Sequence, residues 1–164
     1  MAAALLEMAA AFAGDSEAAA RAASLRGQLV RDGERELRSY EPVLEALRVS
    51  REDPARAERV AGALSDASDA PLAIARASAE VAEMAVALVG QSKPSLAGDA
   101  IAAVVVAEAA TRAAARLVEI NLRDATDDPR LEEVDRLARR AASARERSLG
   151  YSSPTCLRIE TESE

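Results

Sequence analysis

Any proton-transfer chemistry in this chain has to do without histidine, and carboxylates lead the groups that could carry it. The 164 residues include no histidine, a single cysteine (Cys156) and a single lysine (Lys93). Within one chain that excludes Ser-His and Cys-His nucleophile systems, disulfide frameworks and zinc sites. Acids, Arg, Lys93, Tyr, Ser and Thr are what is left to work with. Rotation at 100° per residue turns Glu36 to within about 40° of Leu29, Tyr40 and Leu47, onto the apolar stripe of its helix, whereas Glu34 and Arg38 project to the far side. Glu36 is therefore expected to be buried. A carboxylate so placed costs stability unless it is hydrogen-bonded, paired or protonated, and it is suited to act as a general acid or base. Asp32, one turn earlier, sits at the edge of the same face.

A second acid stands further along. The charges Glu108, Arg112, Arg116, Glu119 and Arg123 span a sector of about 80° on a long helix, and Asp99 lies opposite them. That predicts one wet face and one buried face, the latter carrying an acid at its beginning and the amide of Asn121 near its end. Each residue also has a structural reading. Glu36 can pair with an Arg of another helix, Asp99 can favour the positive end of its own helix, and Asn121 can be a satisfied interfacial amide. Arg123 reads as the i,i+4 partner of Glu119, and Lys93 as a solvated loop residue or a contact for an acidic ligand tail.

The elements that must position these groups are helices. Alanine accounts for 41 residues, and Phe12, Tyr40 and Tyr151 are the only aromatics. Alanine has the best helix propensity, and β-branched or aromatic runs are missing. The expectation is an all-α bundle of about five helices, several of them long and kinked. The first covers 1–13 and is followed by a break and recap at Gly14-Asp15-Ser16. The second spans about 16–49, with Leu25, Leu29, Leu37, Tyr40, Leu44 and Leu47 as its stripe and Pro42 as a kink. Asp53-Pro54 should open the third, which runs to Val89, is interrupted at Pro71 and stops at Gly90. The fourth opens at Pro94-Ser95. Asp127-Asp128-Pro129 starts the fifth, which ends at Gly150 and has a solvated Arg-rich side (Arg136, Arg139, Arg140, Arg147). Residues 1–149 form one helical domain and 150–164 a tail.

Charge and hydropathy narrow the partners. The net charge of -7, with no basic stripe and no stacking aromatics, argues against nucleic acid. No uncharged apolar run reaches 18 residues, and the opening segment has Glu7 but no basic start, so neither a membrane span nor a signal peptide is expected, and a cytoplasmic protein is. A core of small side chains buries little per chain, which favours a homo-oligomer.

Several segments together resemble the cyclodeaminase/cyclohydrolase family. They are Tyr40 with Glu45-Ala46-Leu47-Arg48-Val49, then Ala70-Pro71-Leu72, a Gly-containing loop, and Gly98-Asp99 opening an Ala-rich helix that closes Ile120-Asn121-Leu122-Arg123-Asp124. The family comprises the C-terminal domain of formiminotransferase-cyclodeaminase and the stand-alone methenyltetrahydrofolate cyclohydrolases, and the likeness runs from about Ala3 to Leu149. It implies an all-α homodimer acting on tetrahydrofolate-bound one-carbon units, an ammonia lyase or C–N hydrolase without a metal. The family's D-x-D-x-E-x-F run falls on Glu34 to Tyr40, so the resemblance puts its catalytic acid/base on Glu36. Asp99 would assist, and Asp32, Tyr40, Lys93 and Asn121 would meet the substrate. Three departures stand out. Met1 lies about two helical turns beyond the place of the family's Pro-Gly-Gly-Gly-Ser loop, Glu36 replaces Asp, and Leu117 replaces an amide. The alternative is a catalytically degenerate homodimeric scaffold or binding protein of the same fold.

Overall fold

Alanine-rich sequence winds into helices joined by short, well-signalled turns. The computed structural model describes residues 1–90 and 94–151, with the backbone alone for 94–96, so the expectations for Lys93, Cys156 and most of the tail lie outside the described residues. The helices are α1 (Ala2–Ala13), α2 (Ser16–Ser39), α3 (Glu41–Arg48), α4 (Arg56–Ala67), α5 (Asp69–Val89), α6 (Pro94–Asn121) and α7 (Pro129–Gly150). Among the described residues the five expected helices appear as seven segments, because the second is broken where a kink was expected and the third divides into two helices end to end. Tyr40 interrupts the second, so that Pro42 falls in the first turn of α3, where its missing N–H costs nothing. Ser68 separates α4 from α5, three residues before Pro71.

Local chemistry accounts for the boundaries. Gly14 ends α1 at φ 78°, a left-handed conformation that favours glycine. Asp15 then caps α2 by accepting from the Ala18 amide at 2.9 Å, and Asp128 caps α7 by accepting from the Arg130 amide, also at 2.9 Å. Asp53-Pro54 shapes a turn instead of starting a helix. The Asp53 carboxylate accepts from the Ala55 amide, and α4 begins only at Arg56.

Two apolar clusters hold the bundle together. One gathers Leu6, Leu25, Val81 and Val104 with alanines of α1, α2, α5, α6 and α7, and the other joins Leu72, Val118, Val134 and Leu137 of α5, α6 and α7. Alanines such as Ala75, Ala79, Ala103, Ala107 and Ala141 are fully buried, so helices meet nearly backbone to backbone. Each buried Leu contributes about 1.5–3 kcal/mol. Polar clamps lie over these clusters. Arg76 pairs bidentately with Glu133 at 2.7 Å, and Arg140 pairs with Glu83 at 2.6 and 2.9 Å. The matching register makes α7 run parallel to α5. The Arg side of α7 is thus partly a seam to α5 rather than wholly solvated.

At one end of the bundle Arg130 donates to the Ser65 carbonyl and hydroxyl, to Asp69 and to Asp128, tying α4, α5 and α7 together. Its guanidinium and amide hold the Asp128 carboxyl down at about 2. No described helix is long and apolar enough to cross a membrane.

Candidate functional site

Helix α2 carries the two acids marked by helical rotation, and the neighbours it finds along its length decide their surroundings. Leu25 is fully buried against α1 and α5. Glu7 of α1 pairs with Arg26 at 2.8 Å, which brings the first turn of α1 level with Asp32. Arg21 pairs with Glu80 of α5 at 2.6 Å. Since α2 leads into α3, which packs on α4, and α4 leads into α5, the C-terminal half of α2 lies toward the beginning of α5. Beyond Asp32 the helix leaves this cover.

The consequence is a gradient of exposure along one stripe. Asp32 is 6% exposed, Glu36 is half-buried, and Tyr40 at the helix end is 47% exposed. The expectation of a buried Glu36 is corrected accordingly. At the level of Glu36 the stripe is only partly covered. Leu37, Leu44 and Leu47 are likewise exposed, at 79%, 47% and 43%. Glu34 and Arg38 do face outward and pair with each other at 3.7 Å.

Asp32 is the enclosed carboxylate. Its Oδ1 accepts from the Arg35 guanidinium at 3.2 Å, while its Oδ2 is buried and has no hydrogen-bond partner among the described residues. A buried, charged acceptor left in this state is costly unless a donor reaches it. Such an oxygen can hold a proton, an N–H donor or a positive charge. It lies one turn from Glu36, within the reach of side chains at i and i+4.

Asn121 is the other polar group expected on a buried face. Its amide donates to the Ala67 carbonyl at 3.3 Å, where α4 ends, and so stands at the end of the bundle toward which α2 descends. That bond is the satisfied interfacial one, and it leaves the side-chain oxygen available. Asp99 is half-buried near the start of α6, about 33 Å from Asn121 along the helix axis, so one chain does not bring the two together.

Two further expectations are corrected. Glu119 pairs with Arg116 at 2.9 Å and Arg123 with Asp124 at 3.3 Å, because Arg116 reaches Glu119 first. Glu108, assigned to the wet face, is only 6% exposed and is met by Arg112 at 3.2 Å. It stands at the edge of the charged sector, where the buried Val104, Ala107 and Thr111 begin. Among the described residues, no cluster of three or more acid, Cys or His side chains is placed to hold a metal ion.

No curated protein sequence matches the chain. The crystal structure of formiminotetrahydrofolate cyclodeaminase from Thermotoga maritima shares its fold, with a TM-score of 0.81 at 20% identity over 92% of this chain and 81% of that one. The sequence profile of the formiminotransferase-cyclodeaminase family matches residues 1–140. With the profile matching most of its length and the bundle reproduced, the chain belongs to the formiminotransferase-cyclodeaminase family.

Proposed function

We propose that this protein acts on tetrahydrofolate-bound one-carbon units, as a cyclodeaminase or, with water in place of an amine, as a methenyltetrahydrofolate cyclohydrolase. The observation that carries the reading is the buried Oδ2 of Asp32, without a partner among the described residues, one turn from the half-buried Glu36. In cyclodeamination the N10 lone pair attacks the protonated N5-formimino carbon and forms the new C–N bond. Glu36 takes the proton from N10 and passes it to the former imino nitrogen. The C–N bond to that nitrogen then breaks, ammonia leaves with the bonding pair, and the methenyl cation is left. In the hydrolytic direction Glu36 accepts a proton from water as it attacks this cation. Asp32 supplies a fixed negative charge beside the positive carbon centre, in a place from which water is excluded.

Asn121 and Tyr40 are assigned to the folate, and Lys93 to its acidic tail. The active form is a homodimer, because the apolar stripe of Leu37, Tyr40, Leu44 and Leu47 next to Glu36 is uncovered in one chain. Asp99 assists only if a second copy presents it, given its distance from Asn121 within one chain.

The test is turnover. Purified protein is mixed with methenyltetrahydrofolate or with formiminotetrahydrofolate. Decay of the methenyl chromophore and release of ammonia are compared with the spontaneous rates and with Glu36→Gln. A wild-type protein no faster than the spontaneous rate on both substrates defeats the enzymatic reading and leaves the scaffold, whereas a variant as fast as an active wild type defeats the assignment to Glu36 alone.

A further inference from the structure

We infer that Asp32 is the residue that selects the one-carbon group, recognising a protonated amidine such as formimino over the isosteric, uncharged formyl group. The inference rests on the folate reading above and adds to it a stated contact. Its basis is the division of labour within one carboxylate. Oδ1 is already engaged by Arg35 Nη1 at 3.2 Å, and Oδ2 is buried without a partner among the described residues. The side chain is 8% exposed, while that of Arg35 is 60% exposed, so the guanidinium approaches from the solvent side and the free oxygen is turned inward.

What suits such an oxygen follows from its chemistry. A carboxylate accepts hydrogen bonds and donates none. A formimino group protonated on nitrogen presents N–H donors and a positive charge, so it can satisfy Oδ2 with a charge-assisted bond. A formyl group of the same shape presents a carbonyl oxygen, which leaves Oδ2 unpaired and sets two acceptors against each other. Sites built around a buried polar group discriminate strongly against a ligand that leaves that group unmatched. The methenyl bridge is a cation without N–H donors. It gains the attraction but not the bond.

Asp32→Asn tests the assignment with little change of shape. Arg35 can only donate, so it holds the amide oxygen of the variant on its own side and turns the NH₂ to the position of Oδ2. An acceptor there becomes a donor.

Binding of 5-formimino- and 5-formyltetrahydrofolate to the full chain is measured by calorimetry, in the wild type and in Asp32→Asn. The wild type should prefer the formimino compound by about tenfold to a hundredfold, the range set by one hydrogen bond to a charged group. In the variant the preference should shrink or invert. Equal affinity of the wild type for both compounds overturns the assignment while leaving the folate reading intact. A wild-type preference that survives unchanged in a folded Asp32→Asn overturns it too. Failure of the wild type to bind either compound removes the folate reading and this inference together. If the variant does not fold, equal wild-type affinity for the two compounds still overturns the assignment.

Discussion

Asp32 and Glu36 stand one turn apart on the same side of α2, and Asp32 alone is closed off from water. The pair therefore divides into a fixed acceptor and a group that can still move. If Glu36 is the acid/base, its reach matters, because it extends one methylene further than the aspartate at the corresponding place in the motif it resembles. A displacement near 1 Å can change a rate by about a hundredfold. Glu36→Asp is expected to raise kcat by up to about that factor, and Glu36→Gln to abolish turnover, both with little change in melting temperature since the site is half-exposed. Steady-state kinetics on methenyl- and formiminotetrahydrofolate check this. A Glu36→Gln variant as active as the wild type would move the acid/base role elsewhere.

Asp128 offers a prediction that is independent of function. Its side chain accepts from the side chain and the amide of Arg130, which holds its carboxyl at about 2 instead of 3.8. A depressed folded-state value contributes stability that is complete above about pH 4 and is lost as the pH falls toward about 2. Asp128→Ala should cost about 1 kcal/mol near neutral pH through loss of the cap of α7. Its stability should also fall less steeply than that of the wild type across the acid window. Thermal melts from neutral pH to about pH 2 provide the comparison, and parallel curves for the two proteins would dismiss the linkage.

Local signals were legible in the sequence, and contacts between distant segments were not. Gly14-Asp15 and Asp128-Pro129 act on their own neighbours, and the structure has them where the residue types put them, while α5 does end at Gly90 but with helical torsions there. Asp53-Pro54 carries the same signal but closes a turn, because α4 starts later. Helical rotation located the face of α2 but not its depth. Whether Asp32 or Glu36 is buried depends on how far α1 and α5 run beside α2, which the periodicity of α2 does not contain. Glu83 and Arg140 are 57 positions apart, so their pairing, and the seam it makes of the Arg side of α7, had no local trace. Glu108 shows the same limit at the border of a sector, where one neighbour decides between water and core.

The apolar stripe running from α2 into α3 predicts an oligomer. Leu37, Tyr40, Leu44 and Leu47 are exposed, while Val43 and Ala46 of the same segment are buried against their own chain, so α3 has an inner and an outer apolar side. A monomer has little reason to keep the outer one. Sedimentation should find a dimer for the wild type and a monomer for the double variant Leu37→Glu, Leu44→Glu, with helical content preserved. A wild-type monomer at micromolar concentration would count against the stripe as the contact.

Gly90 and Tyr151 meet where α5 and α7 end. Gly90 has helical torsions, φ -73° and ψ -17°, so its backbone does not require glycine. Alanine there would ordinarily be favourable by about 1 kcal/mol. A Cβ at this position, however, would lie 2.7 Å from the Tyr151 hydroxyl and 3.2 Å from the ring carbon that bears it, so the ring would have to swing away. Glycine is kept for the neighbour rather than for the torsion. Gly90→Ala should therefore be neutral or destabilising in the wild type. In a Tyr151→Ala background the same change should stabilise, by about 0.5–1 kcal/mol. Chemical denaturation of the four proteins closes this cycle, and an equal gain from Gly90→Ala in both backgrounds would mean that the tyrosine ring does not rest on Gly90 in solution.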